Sequence, residues 1–187
     1  MTTHPSILLI EDSPGECELF RLALAQTGLP IALHPEQDAE AAFRFLEDRA
    51  HRSQSSNRCS LGEAAGVVSA ARIERGPSQA ARSASTETMP VASPSLPVLI
   101  LLDLNLRGQD GCDFLKRLRS DPRFATIPTI IFTTSDDPTD LARCYASGAN
   151  GYVVKPGIFA ELVQCIHDIC RYWLDRNLTP LMIETKC

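Results

Sequence analysis

The sequence predicts an α/β fold in which helices cover both faces of one parallel sheet. Four apolar runs are short and continuous rather than alternating, and such runs are typical of strands buried on both faces. Segments with apolar residues at helical spacing lie between these runs, so strands and helices alternate along the chain. At 187 residues the chain is long enough for a single domain with a sizeable core.

The expected strands are residues 7–10, 31–33, 98–102, 130–132 and 152–154. The first helix is expected to begin at the capping-box sequence Ser13-Pro14-Gly15-Glu16 and to stop at Gly28. Four further helices are marked by apolar spacing in residues 41–46, 114–118, 137–148 and 159–173. Five alternating units with right-handed crossovers suit a flavodoxin-like, doubly wound sheet with the strand order 2-1-3-4-5.

One stretch, residues 51–97, interrupts this pattern between the second helix and the third strand. It is rich in Ser and Ala and contains no aromatic residue. Such a composition buries too little apolar surface to offset the cost of ordering the chain. We therefore expect one domain over residues 1–187 with a flexible, low-complexity insertion at 51–97 and a C-terminal tail at 175–187.

The composition argues against several classes of function. Lys and Arg number 18 against 23 Asp and Glu, and the formal net charge of −5 disfavours nucleic acid as a direct partner. The 7 cysteines and 4 histidines have no spacing typical of a zinc site or a disulfide framework. No apolar run approaches the length of a membrane span and no export signal opens the sequence, so we expect a soluble cytoplasmic protein with free thiols.

Residues that suit phosphoryl chemistry follow four of the predicted strands. They are Glu11 and Asp12 after the first strand, Asp103 after the third, Thr133 after the fourth and Lys155 after the fifth. We expect them to meet, because the carboxyl ends of parallel strands share one edge of the sheet. Crowded carboxylates need a hard divalent cation or a shifted pKa, and the first option predicts Mg²⁺ held by Asp12 and Asp103. Asp103 could then attack phosphorus, while Lys155 and the Thr133 hydroxyl stabilise the developing charge.

Each of these features alone has a simpler explanation as a helix cap, a strand edge or a turn, and only their joint occurrence favours a shared site. Two rival functions fit less well. A haloacid-dehalogenase-like phosphotransferase needs an Asp two residues after its nucleophile, where this chain has Asn105. A flavin-binding module needs an anion-attracting loop after the first strand, where Glu11 and Asp12 would repel a flavin phosphate.

The segments IEDS, LLDLNL, FTTS and GANGYVVKP resemble the signature segments of the response-regulator receiver (CheY-like) family. Asp103 and Thr133 are 30 residues apart, and Thr133 and Lys155 are 22 apart, as in that family. The resemblance covers residues 6 to about 174 apart from the insertion. It implies a signalling domain of a two-component phosphorelay, not an enzyme, in which Asp103 accepts a phosphoryl group from a sensor histidine kinase.

The resemblance also implies a ligand set for Mg²⁺. Asp12 and Asp103 would bind the ion together with the backbone carbonyl of Asn105, and Glu11 would act through water. The Lys155-Pro156 bond is similar to one that is cis in the family.

Four further positions take roles from the resemblance. Tyr152 matches the aromatic switch position, which works with Thr133. Asn105 and Ser135 occupy the positions that influence hydrolysis of the phosphoryl group.

The segments EDSPGE, LLDLNL and TTS and the pair Tyr172-Trp173 resemble a narrower subgroup, the small output-less regulators that partner bacterial phytochromes. That subgroup implies homodimers formed through the fourth helix, fifth strand and fifth helix. The signal would leave by protein contact or by onward phosphotransfer. Two departures from the family pattern are Arg107, where Pro is usual, and Gly157, where an aromatic residue often follows the Lys-Pro pair.

Overall fold

A computed structural model describes residues 4–59, 96–106 and 108–179 of the chain. Most of the predicted insertion, the residue Arg107 and the end of the predicted tail lie outside the described residues. No helix in the described part of the chain is long and apolar enough to cross a membrane.

The main sheet has five parallel strands, which are β1 (Ser6–Ile10), β2 (Ala32–Glu36), β3 (Leu99–Leu102), β6 (Thr129–Thr133) and β7 (Gly151–Val154). Their order across the sheet is β2-β1-β3-β6-β7, which confirms the predicted doubly wound topology. A small antiparallel pair, β4 (Asn105–Leu106) and β5 (Gln109–Asp110), follows β3 and was not predicted.

The α-helices of the described residues are α1 (Pro14–Gln26), α2 (Ala39–Cys59), α3 (Gly111–Ser120) and α4 (Pro138–Ala146), which lie between strands, and α5 (Phe159–Cys170), which follows β7. A π-helix at Arg171–Arg176 continues directly from α5. The predicted helix starts at Ser13 and Asp137 are correct, since both side chains accept hydrogen bonds from backbone amides of the first turn.

Alternate residues of the central strands face two separate cores, which explains the continuous apolar runs. Leu8 and Ile10 of β1 face a core under α2 and α3, whereas Ile7 and Leu9 face a core under α1 and α5. Because both faces are covered, every residue of β1 and of β3 is buried.

The boundaries of two sequence-based segments differ from the structure. Helix α2 continues to Cys59, so residues 51–59, which were predicted to belong to the flexible insertion, are helical. The π-helix ends at Arg176, inside the stretch predicted as a tail. A helix can extend into a polar sequence when its first turns are anchored, as α2 is by the buried Phe43 and Leu46.

Candidate functional site

Backbone hydrogen bonds extend the sheet beyond the strand ends and fix the candidate residues at one edge. The Asp103 amide donates to the Ile10 carbonyl at 2.9 Å, and the Lys155 amide donates to the Thr133 carbonyl at 2.7 Å. The Glu11 amide donates to the carbonyl of Glu36 on β2 at 3.0 Å. The prediction that Glu11, Asp103, Thr133 and Lys155 share an edge is therefore confirmed in the fold.

The ammonium group of Lys155 is the centre of this edge. Its Nζ donates to Glu11 Oε2 at 2.5 Å and lies 3.3 Å from Asp103 Oδ2, and it also pairs with Glu16. The Asp103 residue is only 8% exposed and Glu11 only 2%. Two buried carboxylates thus share one cation whose side chain is 10% exposed, and charges in such a site interact more strongly than they would in water.

Burial and ion pairing oppose each other in setting the charge states here. Burial raises the pKa of Glu11 above 4.5, and the bond from Lys155 offsets only part of that effect. Burial alone would lower the pKa of Lys155, but its hydrogen bonds to Glu11 and Glu16 outweigh burial and raise it above 10.5. Lys155 is therefore charged at neutral pH, and a further cation would favour ionised Glu11.

Three carboxylates at this edge could hold a metal ion. Oxygen atoms of Glu11, Glu16 and Asp103 all lie within 4.8 Å of one another. An all-oxygen, acidic donor set suits the hard cations Mg²⁺ and Mn²⁺. Asp12, one of the predicted ligands, is half-buried and follows Glu11 directly, but it does not belong to this three-carboxylate cluster.

Glu16 is the residue at this site that the sequence analysis missed. The capping box predicts that its carboxylate reaches back to the Ser13 amide. Only half of that box forms, since Ser13 Oγ accepts from the Glu16 amide at 3.4 Å while the Ser13 amide donates to Glu11 Oε1 at 2.9 Å. The Glu16 carboxylate turns to Lys155 instead. A capping motif directly beside an acidic pair was the available signal.

One oxygen of Asp103 is held by the chain that follows it. Oδ1 accepts from the Leu104 amide at 2.6 Å and from the Asn105 amide at 3.4 Å. The other oxygen, Oδ2, faces Lys155. Gly111 packs directly against this loop, because a Cβ atom there would lie 2.5 Å from the Asp103 carbonyl oxygen.

Thr133 and Tyr152 are linked through Ser135. Thr133 is fully buried, and its hydroxyl oxygen accepts from the Ser135 amide at 3.4 Å. The Tyr152 hydroxyl donates to the Ser135 carbonyl at 3.0 Å, and the Ser135 hydroxyl donates to Asp140 at 2.8 Å. The predicted switch and hydrolysis positions of the β6–α4 loop thus form one hydrogen-bonded chain.

The Lys155-Pro156 peptide bond is trans in the structure, so the expectation of a cis bond at this position is wrong. The second departure from the family pattern, Gly157, is exposed, and a side chain there would meet nothing within 4 Å. Its effect is therefore limited to the exposed surface beside Lys155.

This fold and the strand-end residues define a phosphorelay receiver, and comparison with known proteins agrees. The model of the response regulator receiver domain matches residues 65–167, which include Asp103, Thr133 and Lys155. The chain therefore belongs to the response regulator receiver domain family, whose members are two-component signalling proteins.

Individual relatives indicate which kinds of response regulator this chain is similar to. Response regulator Rcp1 of Synechocystis is 33% identical over 174 residues, covering 93% of this chain and 92% of Rcp1. The probable methanogenesis regulatory protein FilR2 of Methanothrix harundinacea is 38% identical over 86 residues, which are 46% of this chain and 56% of FilR2.

Two solved structures are similar over nearly their whole length. The phosphorylated cyanobacterial phytochrome response regulator RcpA has a TM-score of 0.66 and 26% identity, covering 95% of this chain and 99% of RcpA. The Mn²⁺-bound form of Rcp1 has a TM-score of 0.63 and 26% identity, covering 94% of this chain and 99% of Rcp1. The expected resemblance to phytochrome-associated regulators is confirmed.

Proposed function

We propose that Asp103 is the phosphoacceptor of this receiver domain and that its donor is the phosphohistidine of a sensor histidine kinase of the phytochrome-linked kind. The observation that carries the proposal is the position of Asp103 Oδ2, 3.3 Å from the Lys155 ammonium and within a cluster of carboxylates. The phytochrome response regulators similar to this chain supply the class of kinase.

In the proposed reaction an oxygen of Asp103 attacks the phosphorus atom, the P–N bond of the phosphohistidine breaks, and the imidazole leaves and takes a proton. Lys155 and the Thr133 hydroxyl stabilise the negative charge that develops on the phosphoryl oxygens. The Leu104 amide, which already holds Oδ1, keeps the attacking carboxylate in one orientation.

We propose that Asp12, Asp103 and the backbone carbonyl of Asn105 bind Mg²⁺, with Glu11 acting through water. Bound Mg²⁺ would neutralise part of the negative charge at the phosphoryl group. The acidic cluster fits a hard cation, because oxygen atoms of Glu11, Glu16 and Asp103 lie close together around the Lys155 ammonium. The Mn²⁺-bound form of the relative Rcp1 supports a divalent ion in proteins of this kind.

The test is labelling of the purified protein with acetyl phosphate in the presence of Mg²⁺. We expect one acid-stable, base-labile phosphoryl group on Asp103, with no labelling of Asp103→Asn and a loss of most labelling in Asp12→Ala. Asp113→Asn is the matched control, because Asp113 is an exposed carboxylate on α3 paired with Lys116. Persistent labelling of Asp103→Asn would refute the assignment.

Asn105 and Ser135 are proposed to set the lifetime of the phosphoryl group. Both are short and polar, so neither should keep water from the phosphorus atom. Bulky or charged substitutions at either position should change the rate of dephosphorylation more than the rate of phosphorylation. If both rates change equally, these positions only hold the loops.

The proposed output surface, defined as α4, β7 and the start of α5, is rich in exposed apolar residues. These are Leu141, Tyr145, Val154, Ile158 and Phe159. The strand β7 lies at the edge of the sheet, and exposed edge strands are common sites of chain association. Ile169 of α5 and Trp173 of the π-helix do not belong to this surface, because they pack into the core under α1 and α5.

We propose that this surface forms a symmetric homodimer, or docks a partner, more tightly after phosphorylation. Thr133 would turn its hydroxyl to the phosphoryl group, and Tyr152 would release Ser135 and move into the space behind Thr133. Sedimentation with and without beryllofluoride and Mg²⁺ tests this, with Tyr145→Ala as the surface variant. An unchanged mass, together with no phosphorylation-dependent partner, would refute the output surface.

The insertion is proposed to be dispensable for these steps. The strand β3 begins at Leu99 and ends beside Asp103, so residues that precede Leu99 join the domain at the edge opposite the reactive one. A variant in which a short Gly-Ser linker replaces residues 60–95 should still be labelled on Asp103. Loss of labelling in this variant, while its circular dichroism stays native, would show that the insertion supports the site.

A further inference from the structure

Two cysteine side chains meet between α3 and α4, in a part of the core that the proposed phosphoryl chemistry does not use. Cys112 lies in the first turn of α3 and Cys144 near the end of α4, and their Sγ atoms are 3.1 Å apart. Both residues are fully buried. Contact between two thiols that are 32 residues apart in sequence is a property of the fold and not of local chain geometry.

The Cys144 thiol is the main anchor of α4. It is the buried side chain of that helix, and the other residues of α4 are exposed or half-exposed. A second tie lies next to it, because Arg143 pairs with Asp110 before α3 and with Asp140 of its own helix. The sulfur contact and this exposed ion-pair network therefore both tie α4 to α3 and to the residue before it.

We propose that Cys112 and Cys144 form an oxidation site that takes a peroxide as its oxidant and closes to a disulfide joining α3 to α4. In the balanced reaction one thiol attacks the peroxide, giving a sulfenic acid and water. The second thiol attacks that sulfur, and the S–S bond forms as a second water leaves. Two thiols thus lose two electrons and two protons, and one hydrogen peroxide becomes two molecules of water.

The geometry requires only a small movement. A disulfide has an S–S distance of roughly 2.05 Å, so the two sulfur atoms must approach by about 1 Å. Since α4 packs through few buried groups, it can make this movement without disturbing the sheet. Disulfides that form in the cytosol are usually transient, and we expect the bond between α3 and α4 to be reversible in the same way.

Access to the thiols is controlled by α4. Burial, followed by the contact with Cys112, raises the pKa of the Cys144 thiol to about 12, so the closed pair reacts slowly. Opening of α4 exposes both sulfur atoms at once, because Cys144 leaves the core with its helix. The rate of oxidation is therefore expected to report the opening of α4.

The consequence for signalling rests on the proposed function. Tyr152 packs against the core cluster that contains both thiols, and its hydroxyl bonds to the loop that enters α4. A disulfide holds α4 in its present position and so opposes the repacking by which phosphorylation would reach the output surface. Oxidation should therefore uncouple labelling of Asp103 from the change at α4.

The experiment treats the folded full chain with hydrogen peroxide, alkylates the remaining thiols in denaturant, and maps cross-linked peptides by mass spectrometry. We expect a Cys112–Cys144 disulfide as the dominant product, reversed by dithiothreitol, and absent in Cys112→Ala and Cys144→Ala. Cys165→Ser is the matched control, since Cys165 is a half-buried thiol of α5, and it should keep the disulfide. A dominant link between other cysteines, or a link that forms only after denaturation, would overturn the oxidation site.

The second measurement compares oxidised and reduced protein for acetyl phosphate labelling and for the beryllofluoride-dependent change in α4 amide exchange. Labelling should agree within about two-fold, while the α4 change should fall at least ten-fold on oxidation. An equal α4 change in both forms would overturn the regulatory role. Absence of labelling in the reduced protein would instead refute the proposed function, and the peptide map would stand independently.

Discussion

The sheet edge that carries Glu11, Asp103, Thr133 and Lys155, here called the reactive edge, is held in the fold differently from helix α4. Every residue of β1 and β3, which carry Glu11 and Asp103 at their ends, is buried between two cores. In α4 the described burial is concentrated in Cys144, and Leu141 and Tyr145 are 44% and 50% exposed. One region is buried on both faces, and the other has one buried residue together with the exposed ion pairs of Arg143.

In the proposed function this difference separates the region that would carry out phosphoryl transfer from the region that would transmit the signal. Phosphoryl transfer needs carboxylate, ammonium and hydroxyl groups held to within a fraction of an ångström, which the buried strands provide. In the proposed function the signal needs an element whose position changes at small energetic cost, and α4 is the candidate because Cys144 is its buried residue. The hydrogen-bonded chain from Thr133 through Ser135 to Tyr152 joins the two regions.

The largest expected effect is a difference in stability between two Leu→Ala variants, one on β3 and one on α4. Leu101→Ala removes a fully buried side chain of β3 and should lower the free energy of unfolding by about 2–5 kcal/mol. Leu141→Ala on α4 should change it by less than about 0.5 kcal/mol. Urea unfolding of both variants measures the contrast, and similar losses would remove the distinction between the two regions.

Gly111 tests how tightly the loop after Asp103 is packed. In Gly111→Ala the new methyl group must displace the backbone around the Asp103 carbonyl, so we expect a loss of about 1–3 kcal/mol and slower acetyl phosphate labelling. Gly157→Ala is the control, because a methyl group there meets nothing within 4 Å. Wild-type stability and labelling in Gly111→Ala would mean that the loop is adaptable.

The pH dependence of stability probes the same edge with a smaller effect. Because burial raises the pKa of Glu11 in the folded protein, its contribution to stability is complete below pH 4.5 and is lost as the pH rises through the folded-state pKa. In EDTA, which removes divalent cations, the Glu11→Gln variant should not lose this part of its stability as the pH rises. Urea unfolding of both proteins at pH 5 and pH 7.5 measures it, and Mg²⁺ should reduce the loss in the wild type. A Glu11→Gln variant with an unchanged pH profile would contradict this prediction.

The smallest effect is expected at the connection between the regions. Tyr152→Phe removes the hydrogen bond to the Ser135 carbonyl and should cost only about 0.5–1.5 kcal/mol. Labelling of Asp103 should remain within about two-fold of the wild type. A severe loss of labelling would place Tyr152 in the chemistry and not in the readout.

The sequence predicted the regular part of the fold and most of the site, for one physical reason. Continuous apolar runs such as Leu99–Leu102 are recognisable because both faces of a central strand are buried, and the polar residue that ends each run marks the reactive edge.

The features that the sequence did not predict, namely the position of the Glu16 carboxylate and the contact between two cysteines, depend on tertiary contacts. Glu16 carries a capping signature, but its carboxylate pairs with Lys155, and the Ser13 amide donates to Glu11 instead. The contact of Cys112 with Cys144 has no local signal at all, since it depends on how α4 docks against α3.

The central claim is that occupation of Asp103 is read out by α4 while the strand that carries Asp103 stays fixed. Hydrogen–deuterium exchange with and without beryllofluoride and Mg²⁺ tests it most directly, on the reduced wild-type protein. We predict that exchange of the backbone amides of residues 139–146 in α4 changes at least ten-fold while that of Leu99–Leu102 in β3 stays the same. Unchanged exchange in α4 while Asp103 is occupied, or an equal change in β3, would contradict the account.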